Sequence, residues 1–143
     1  MLIGIPSLLS PDFLKMLMEM GHGDELVLAD GNFPAASHAQ RLIRCDGHGI
    51  PEVLDAVVRF FPLDQYVERP VALMATGPEH PSEPPVWSTY RGIVRERSGS
   101  DAGFELVERF AFYERAKRAY AIVATSESAL YGNVILKKGV IKA

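Results

Sequence analysis

Short, continuous apolar runs recur along the chain, and segments with helical spacing separate them. The runs at residues 26–29, 71–75 and 120–125 have the length and composition of strands that are covered on both faces. Between them, apolar side chains repeat at helical spacing, as in residues 13–18 and 53–61. This alternation predicts an α/β fold, with a mainly parallel sheet and helices on its faces.

The proline-rich segment at residues 77–85 is the main interruption of this pattern. Its four prolines among nine residues predict a surface loop and not a helix. The segment has the composition of a domain linker, but neither side of it shows a self-contained pattern. We therefore expect residues 1–143 to form a single domain, which is a length that can bury one proper core.

Composition and charge exclude several classes of partner. The net charge of −3 is not the positive charge that is typical of nucleic-acid-binding domains. No apolar run approaches the ~20 residues that span a bilayer, and the first residues lack the basic region of a signal peptide. The single cysteine, Cys45, excludes an intrachain disulfide and fits a reducing compartment. We expect a cytoplasmic protein without nucleic-acid or membrane partners, with Cys45 as a small residue at the edge of the core.

The segment around the first predicted strand carries the strongest candidates for chemistry. His22 lies between two glycines on the loop that enters the strand, and an imidazole exchanges protons near neutral pH. Asp30 lies where the strand ends, at the edge of an α/β sheet where ligands bind. A lone histidine is more often structural, and an aspartate before a glycine often forms a turn. The open question is whether the two ends of the strand meet in one pocket.

Two later segments add polar groups suited to a sugar. Arg109 follows a predicted strand at residues 105–108, where it can form a surface salt bridge or hold sugar hydroxyls. The turn Tyr131-Gly132-Asn133 precedes the last predicted strand and offers a phenol and an amide, both able to bind a polyol. The remaining histidines are interpreted as surface residues: His38, His48 and His80.

Signatures of cofactor-dependent chemistry are missing from the sequence. The Gly21-x-Gly23 pair precedes a strand and lacks a third glycine, so it is no dinucleotide fingerprint. The sequence contains neither a phosphate-binding Gly-Lys-Ser/Thr loop nor a Gly-x-Ser-x-Gly elbow. A metal site would use His22, Asp24, Glu25 and Asp30, but their spacing matches no standard zinc pattern. We expect no cofactor and no metal.

Several long motifs, in the right order, resemble the L-fucose mutarotase / D-ribose pyranase family over nearly the whole chain. They are MGHGDE at residues 20–25, AD at 29–30 with NFPA at 32–35, RFAFYERA at 109–116 and YGNVILKKGV at 131–140. The third motif resembles the fucose branch of the family. Residues 77–85 depart from the family pattern, which puts the sugar preference in doubt if that loop borders the pocket.

The resemblance implies a cofactor-independent isomerase that interconverts the α and β anomers of L-fucose or a related pyranose. It implies His22 as proton donor, and it implies substrate binding by Asp30, Arg109, Tyr131, Gly132 and Asn133. The second catalytic group, at the anomeric hydroxyl, is either Tyr131 or a water molecule. The family forms homo-oligomers, often decamers of two stacked pentamers, with sites completed by a neighbouring chain. The alternatives are a non-catalytic monosaccharide-binding or sensing protein and, more weakly, a metal-dependent enzyme.

Overall fold

The computed structural model describes residues 1–99, 101 and 103–143, and the predicted alternation of helices and strands is confirmed. The strands are β1 (Glu25–Ala29), β2 (Leu42–Cys45), β3 (Val71–Met74), β4 (Phe104–Val107), β5 (Ala121–Thr125) and β6 (Val134–Lys137). The helices are α1 (Pro11–Glu19), α2 (Ala35–His38), α3 (Ile50–Val58), α4 (Pro85–Ser98) and α5 (Arg109–Arg118). The loop between α4 and β4 contains residues 100 and 102, which lie outside the described residues.

The local sequence explains how the chain enters β1. The Ser10 hydroxyl accepts a hydrogen bond from the Phe13 backbone N–H at 3.1 Å, so it caps α1. Helix α1 ends before Gly21, and Gly23 then adopts a φ of 85°, in the left-handed region that favours glycine. Gly23 therefore allows the chain to turn from α1 into the sheet.

The sheet contains six strands in the order β2-β5-β1-β6-β3-β4. Five strands run parallel to one another, and β6 runs antiparallel to both of its neighbours, β1 and β3. The mainly parallel sheet is confirmed, whereas the reversed direction of the central strand β6 was not predicted. As a result, the start of β6 lies at the same edge of the sheet as the carboxyl ends of the parallel strands.

Helices cover both faces of this sheet. Leu26 and Leu28 of β1 pack into a core with α1, α3 and α4, while Val27 and Ala29 pack into a second core with α2 and α5. Both cores contain aromatic side chains that are almost entirely buried. Among the described residues, none of the helices has the length and apolar character needed to cross a membrane.

Candidate active site

A cleft of about 250 Å³ opens at the sheet edge where β1, β3 and β4 end and β6 begins. Pockets for drug-sized ligands measure roughly 300–1,000 Å³, so this volume suits a smaller polar molecule. Four of the predicted substrate-binding side chains line it, together with six further residues. The lining comprises Asp30, Asn32, Phe33, Met74, His80, Arg109, Tyr113, Leu130, Tyr131 and Asn133.

Asp30 and Asn133 form the buried floor of the cleft. The Asp30 backbone N–H donates to Asn133 Oδ1 at 2.7 Å, and Asn32 donates its N–H to Asp30 Oδ1 at 3.0 Å. Burial raises the pKa of the Asp30 carboxyl, although backbone hydrogen bonds such as that from Asn32 oppose the rise. Oδ1 of Asn133 is occupied by this bond, so the donors of its side chain are on Nδ2, and a hydrogen bond from that side chain also opposes the rise of the Asp30 pKa. The floor thus offers an acceptor and a donor side by side.

Helix α4 anchors the turn before β6 from below. The Trp87 indole N–H donates to the Tyr131 carbonyl at 2.9 Å, and the buried Tyr90 hydroxyl donates to the Gly132 carbonyl at 2.9 Å. Tyr131 itself has a φ of 56°. A Cβ atom at position 132 would lie only 3.0 Å from the Ala129 carbonyl oxygen, so any residue other than glycine would displace its neighbours by a few tenths of an ångström. The sequence predicts the turn, but it does not reveal these two aromatic anchors.

Arg109 opens α5 at the rim of the cleft. The Glu108 carboxylate caps the helix by accepting hydrogen bonds from the backbone N–H groups of Phe110 and Ala111. The Arg109 guanidinium lies 4.7 Å from the centroid of the Phe110 ring. No carboxylate among the described residues lies within salt-bridge distance of Arg109, although its positive charge lowers the pKa of both Glu79 and Glu108. The exposed guanidinium of Arg109, with its N–H donors, borders the cleft.

The proline-rich loop also borders the cleft. The Tyr131 hydroxyl donates to Glu79 Oε1 at 2.9 Å, and the His80 ring lies 5.4 Å from the Tyr131 ring, centroid to centroid. His80 is exposed, as expected, but it also lines the cleft, which its surface interpretation missed. The position of the loop directly after β3 was the signal that could have found it, since ligands bind beyond strand ends.

His22 lies at the opposite end of β1. Its Nε2 atom is 3.1 Å from Oδ1 of Asp64, and its side chain is 46% exposed, whereas that of Asp64 is 3% exposed. Burial alone would raise the pKa of Asp64, but hydrogen bonds from the Tyr66 backbone N–H and from His22 outweigh it and hold that pKa below its ordinary value. The imidazole is therefore fixed against an ionised carboxylate while its outer face stays accessible.

Within one chain, His22 does not meet the other predicted site residues. The five residues of β1 rise ~3.3 Å each, so the strand alone separates His22 from Asp30 by roughly 16 Å. The structure brings together Asp30, Arg109, Tyr131 and Asn133, with Gly132 in the turn beneath them. A molecule bound in this cleft contacts His22 only if another copy of the chain supplies it.

The side chains considered for a metal are dispersed. Asp24 accepts a hydrogen bond from the Gly21 backbone N–H, and Glu25 pairs with Arg115 on α5. His22 contacts Asp64, and Asp30 lies beyond the far end of β1. The described residues therefore do not place these four groups in one cluster.

Comparisons with known proteins identify close relatives. Residues 3–141 match the RbsD / FucU transport protein family. Human fucose mutarotase is 54% identical over 144 residues, which cover 96% of this chain and 93% of that protein. L-fucose mutarotase of Actinobacillus pleuropneumoniae is 51% identical over 140 residues, with 98% and 97% covered. The crystal structure of the Streptococcus pneumoniae fucose mutarotase in complex with L-fucose is 50% identical and has a TM-score of 0.94, covering 99% of this chain and 100% of that one.

Proposed function

Because the chain belongs to the RbsD / FucU transport protein family, we propose that it is an L-fucose mutarotase. It interconverts the α and β anomers of L-fucose, or of a related pyranose, without a cofactor. One observation carries the proposal: Asp30, Arg109 and the turn at residues 131–133, far apart in sequence, converge on one small polar cleft. Curated relatives with half or more of their residues identical are fucose mutarotases.

The cleft has the groups needed to hold a monosaccharide. The Asp30 carboxylate accepts hydrogen bonds from sugar hydroxyls, while the Asn133 amide and the Arg109 guanidinium donate to them. Phe33 and Met74 provide apolar lining for the C–H faces of the ring and for the methyl group of a 6-deoxy sugar. The same binding groups would serve a non-catalytic sugar-binding protein, so catalysis depends on what happens at the anomeric carbon.

Anomer exchange requires two proton movements. The ring oxygen gains a proton while the anomeric hydroxyl loses one, and the ring opens to an aldehyde. The C1–C2 bond then rotates, and the ring recloses on the other face. We assign Tyr131 to the anomeric hydroxyl and His22 to the ring oxygen. A positioned acid–base pair contributes ~10²–10⁴-fold, which is enough for a reaction that already proceeds slowly in water.

His22 reaches the sugar from a second copy of the chain in this mechanism. Phe110 and Leu130 are exposed large apolar residues near the cleft, and Tyr66 is exposed beside His22. Exposed apolar residues at both ends of the sheet fit a contact in which the His22 end of one copy covers the cleft end of the next. Such head-to-tail contacts form a ring when the rotation between neighbouring copies closes. We propose a homodecamer of two stacked pentamers, each chain a single domain, in the cytoplasm.

Saturation-transfer NMR on L-fucose tests the activity. We expect the rate of anomer exchange to rise in proportion to protein concentration and to survive a chelator. A parallel series with D-ribose and L-galactose ranks the sugars. Binding of L-fucose with no change in exchange rate would instead support the sugar-binding or sensing protein, and loss of activity with a chelator would support the metal-dependent enzyme.

Subunit mixing tests the shared site. His22→Ala and Asp30→Asn disable opposite halves of it, so each homo-oligomer is expected to be inactive. Refolding the two variants together creates interfaces with an intact half from each chain, and we expect part of the activity to return. Mixed oligomers that form but show no recovery would contradict a site built from two chains.

A further inference from the structure

The loop at residues 77–85 folds back onto the phenol of Tyr131. The Tyr131 hydroxyl donates to Glu79 Oε1 at 2.9 Å, and the Gly77 backbone N–H approaches the same hydroxyl oxygen at 3.4 Å. Glu79 is not among the residues that line the cleft, so it contacts the proposed substrate site through Tyr131. The phenol is thus held between the loop and the cleft.

Position 77 must be glycine for this arrangement. A Cβ atom there would lie 2.5 Å from Oε1 and 2.6 Å from Oε2 of Glu79. Any larger residue would therefore push the Glu79 carboxylate away from Tyr131. The space left by Gly77 therefore accommodates the Glu79 carboxylate in the position where it contacts Tyr131.

Glu79 is ionised at neutral pH. Its own backbone N–H and the Tyr131 hydroxyl hold the pKa of its carboxyl below the ordinary value, and the positive charge of Arg109 acts in the same direction. An ionised carboxylate only accepts hydrogen bonds. The phenol must therefore donate its hydrogen to Glu79. The Gly77 N–H approaches one lone pair of the phenol oxygen, and the other lone pair is left for a further partner.

We propose that Glu79 is a positioning residue for Tyr131 that also takes up its proton during anomer exchange; this rests on the mutarotase function proposed above. The anomeric hydroxyl transfers its proton to the phenol oxygen as the phenol proton passes to Glu79 Oε1. Tyrosine stays neutral, Glu79 becomes protonated, and ring closure returns both protons. A phenol is a poor base on its own at neutral pH. Because the Glu79 carboxylate accepts the phenol proton, the phenol oxygen can take up the proton of the anomeric hydroxyl.

Glu79→Gln tests the proton transfer, because glutamine can still accept the phenol hydrogen bond but cannot take the proton. We expect a loss in kcat of roughly 10- to 100-fold for L-fucose, within the range of a general acid–base contribution. KM is expected to change by less than about twofold, because Glu79 does not line the cleft. Gly77→Ala, which displaces the carboxylate sterically, is expected to reproduce the loss.

The matched control is Glu83→Gln in the same loop, since Glu83 pairs with Arg91 and does not line the cleft. We expect it to keep wild-type kcat. In a Tyr131→Phe background, Glu79→Gln is expected to cause no further loss in kcat. If the role of Glu79 were purely structural, the substitution would lower kcat by the same factor in both backgrounds.

Two results would overturn the inference: a kcat of Glu79→Gln within about twofold of the wild type, or an equal loss in both backgrounds. If Tyr131→Phe leaves no measurable exchange, the kcat of Glu79→Gln in the otherwise wild-type chain alone tests the inference. A wild-type protein that does not accelerate exchange at all overturns the mutarotase function instead, so the two failures are distinguishable.

Discussion

Replacing His22 by alanine separates the chemical role of its imidazole from its contact with Asp64. Losing a general acid removes ~10²–10⁴-fold in rate, or roughly 3–5 kcal/mol of barrier lowering. The stability cost is much smaller. A hydrogen bond to a charged partner contributes about 1.5–3 kcal/mol, but the His22 side chain is 46% exposed and so its contact is screened. Asp64 also keeps its bond from the Tyr66 backbone N–H at 3.0 Å. We therefore expect a loss of about 1 kcal/mol.

Exchange NMR on L-fucose measures the rate, and urea unfolding at fixed protein concentration measures the stability. His48→Ala is the matched control, because its Nδ1 lies 3.1 Å from Glu52 Oε1 and its side chain is 39% exposed. It removes a similar histidine–carboxylate pair that lies outside the cleft, and we expect it to keep full exchange.

A folded His22→Ala oligomer that retains exchange within about threefold of the wild type would refute the assignment of His22 as proton donor. If the alanine variant fails to assemble, His22→Gln replaces it. The glutamine amide can donate to Asp64 but cannot exchange a proton, so it preserves the contact and removes the chemistry. Exchange near the wild-type rate in that variant would refute the assignment equally.

Three further predictions concern the turn and the floor of the cleft. Gly132→Ala places a Cβ 3.0 Å from the Ala129 carbonyl oxygen, so we expect a loss of about 1–3 kcal/mol in urea unfolding; wild-type stability would contradict the strained contact. Tyr90→Phe leaves the Gly132 carbonyl without its donor, and we expect a similar loss of about 1–3 kcal/mol, with a change below about 0.5 kcal/mol as the contradicting result. Burial raises the pKa of Asp30 in the folded state above that of the unfolded chain, so the folded state binds this proton more tightly. The stability of the wild type relative to Asp30→Asn should therefore fall as pH rises from about 4 through the raised pKa, and a difference independent of pH would refute this.

The sequence predicts the elements well because their signals are local. Ser10 and Pro11 mark the start of α1, and short apolar runs mark the buried strands. The direction of β6 is different, because the apolar run at residues 134–136 is compatible with either direction. Its place between β1 and β3 depends on pairing with strands more than sixty residues away in sequence for β3 and more than a hundred for β1, which no local pattern encodes.

The residues of the site likewise divide into those that the sequence indicates and those that depend on the fold. The resemblance points to Asp30, Arg109 and the 131–133 turn, and the structure brings these together at one sheet edge. Glu79 and His80 were missed because the path of their loop is set by contacts with Tyr131. The distance between His22 and Asp30 follows from the sequence itself, since the extended strand between them keeps its ends apart within one chain.

The central place of β6 ties the completion of the sheet to the completion of the cleft. Until β6 docks, the β2-β5-β1 and β3-β4 groups share no backbone ladder, and each presents an open edge. When β6 docks, it pairs with both β1 and β3 and, in the same event, places Tyr131 and Asn133 in the cleft at the ends of these strands. A folding intermediate without β6 in place would expose unpaired strand edges, which are prone to aggregation, and would lack the groups that hold a sugar, so ligand binding would report on the docking of β6.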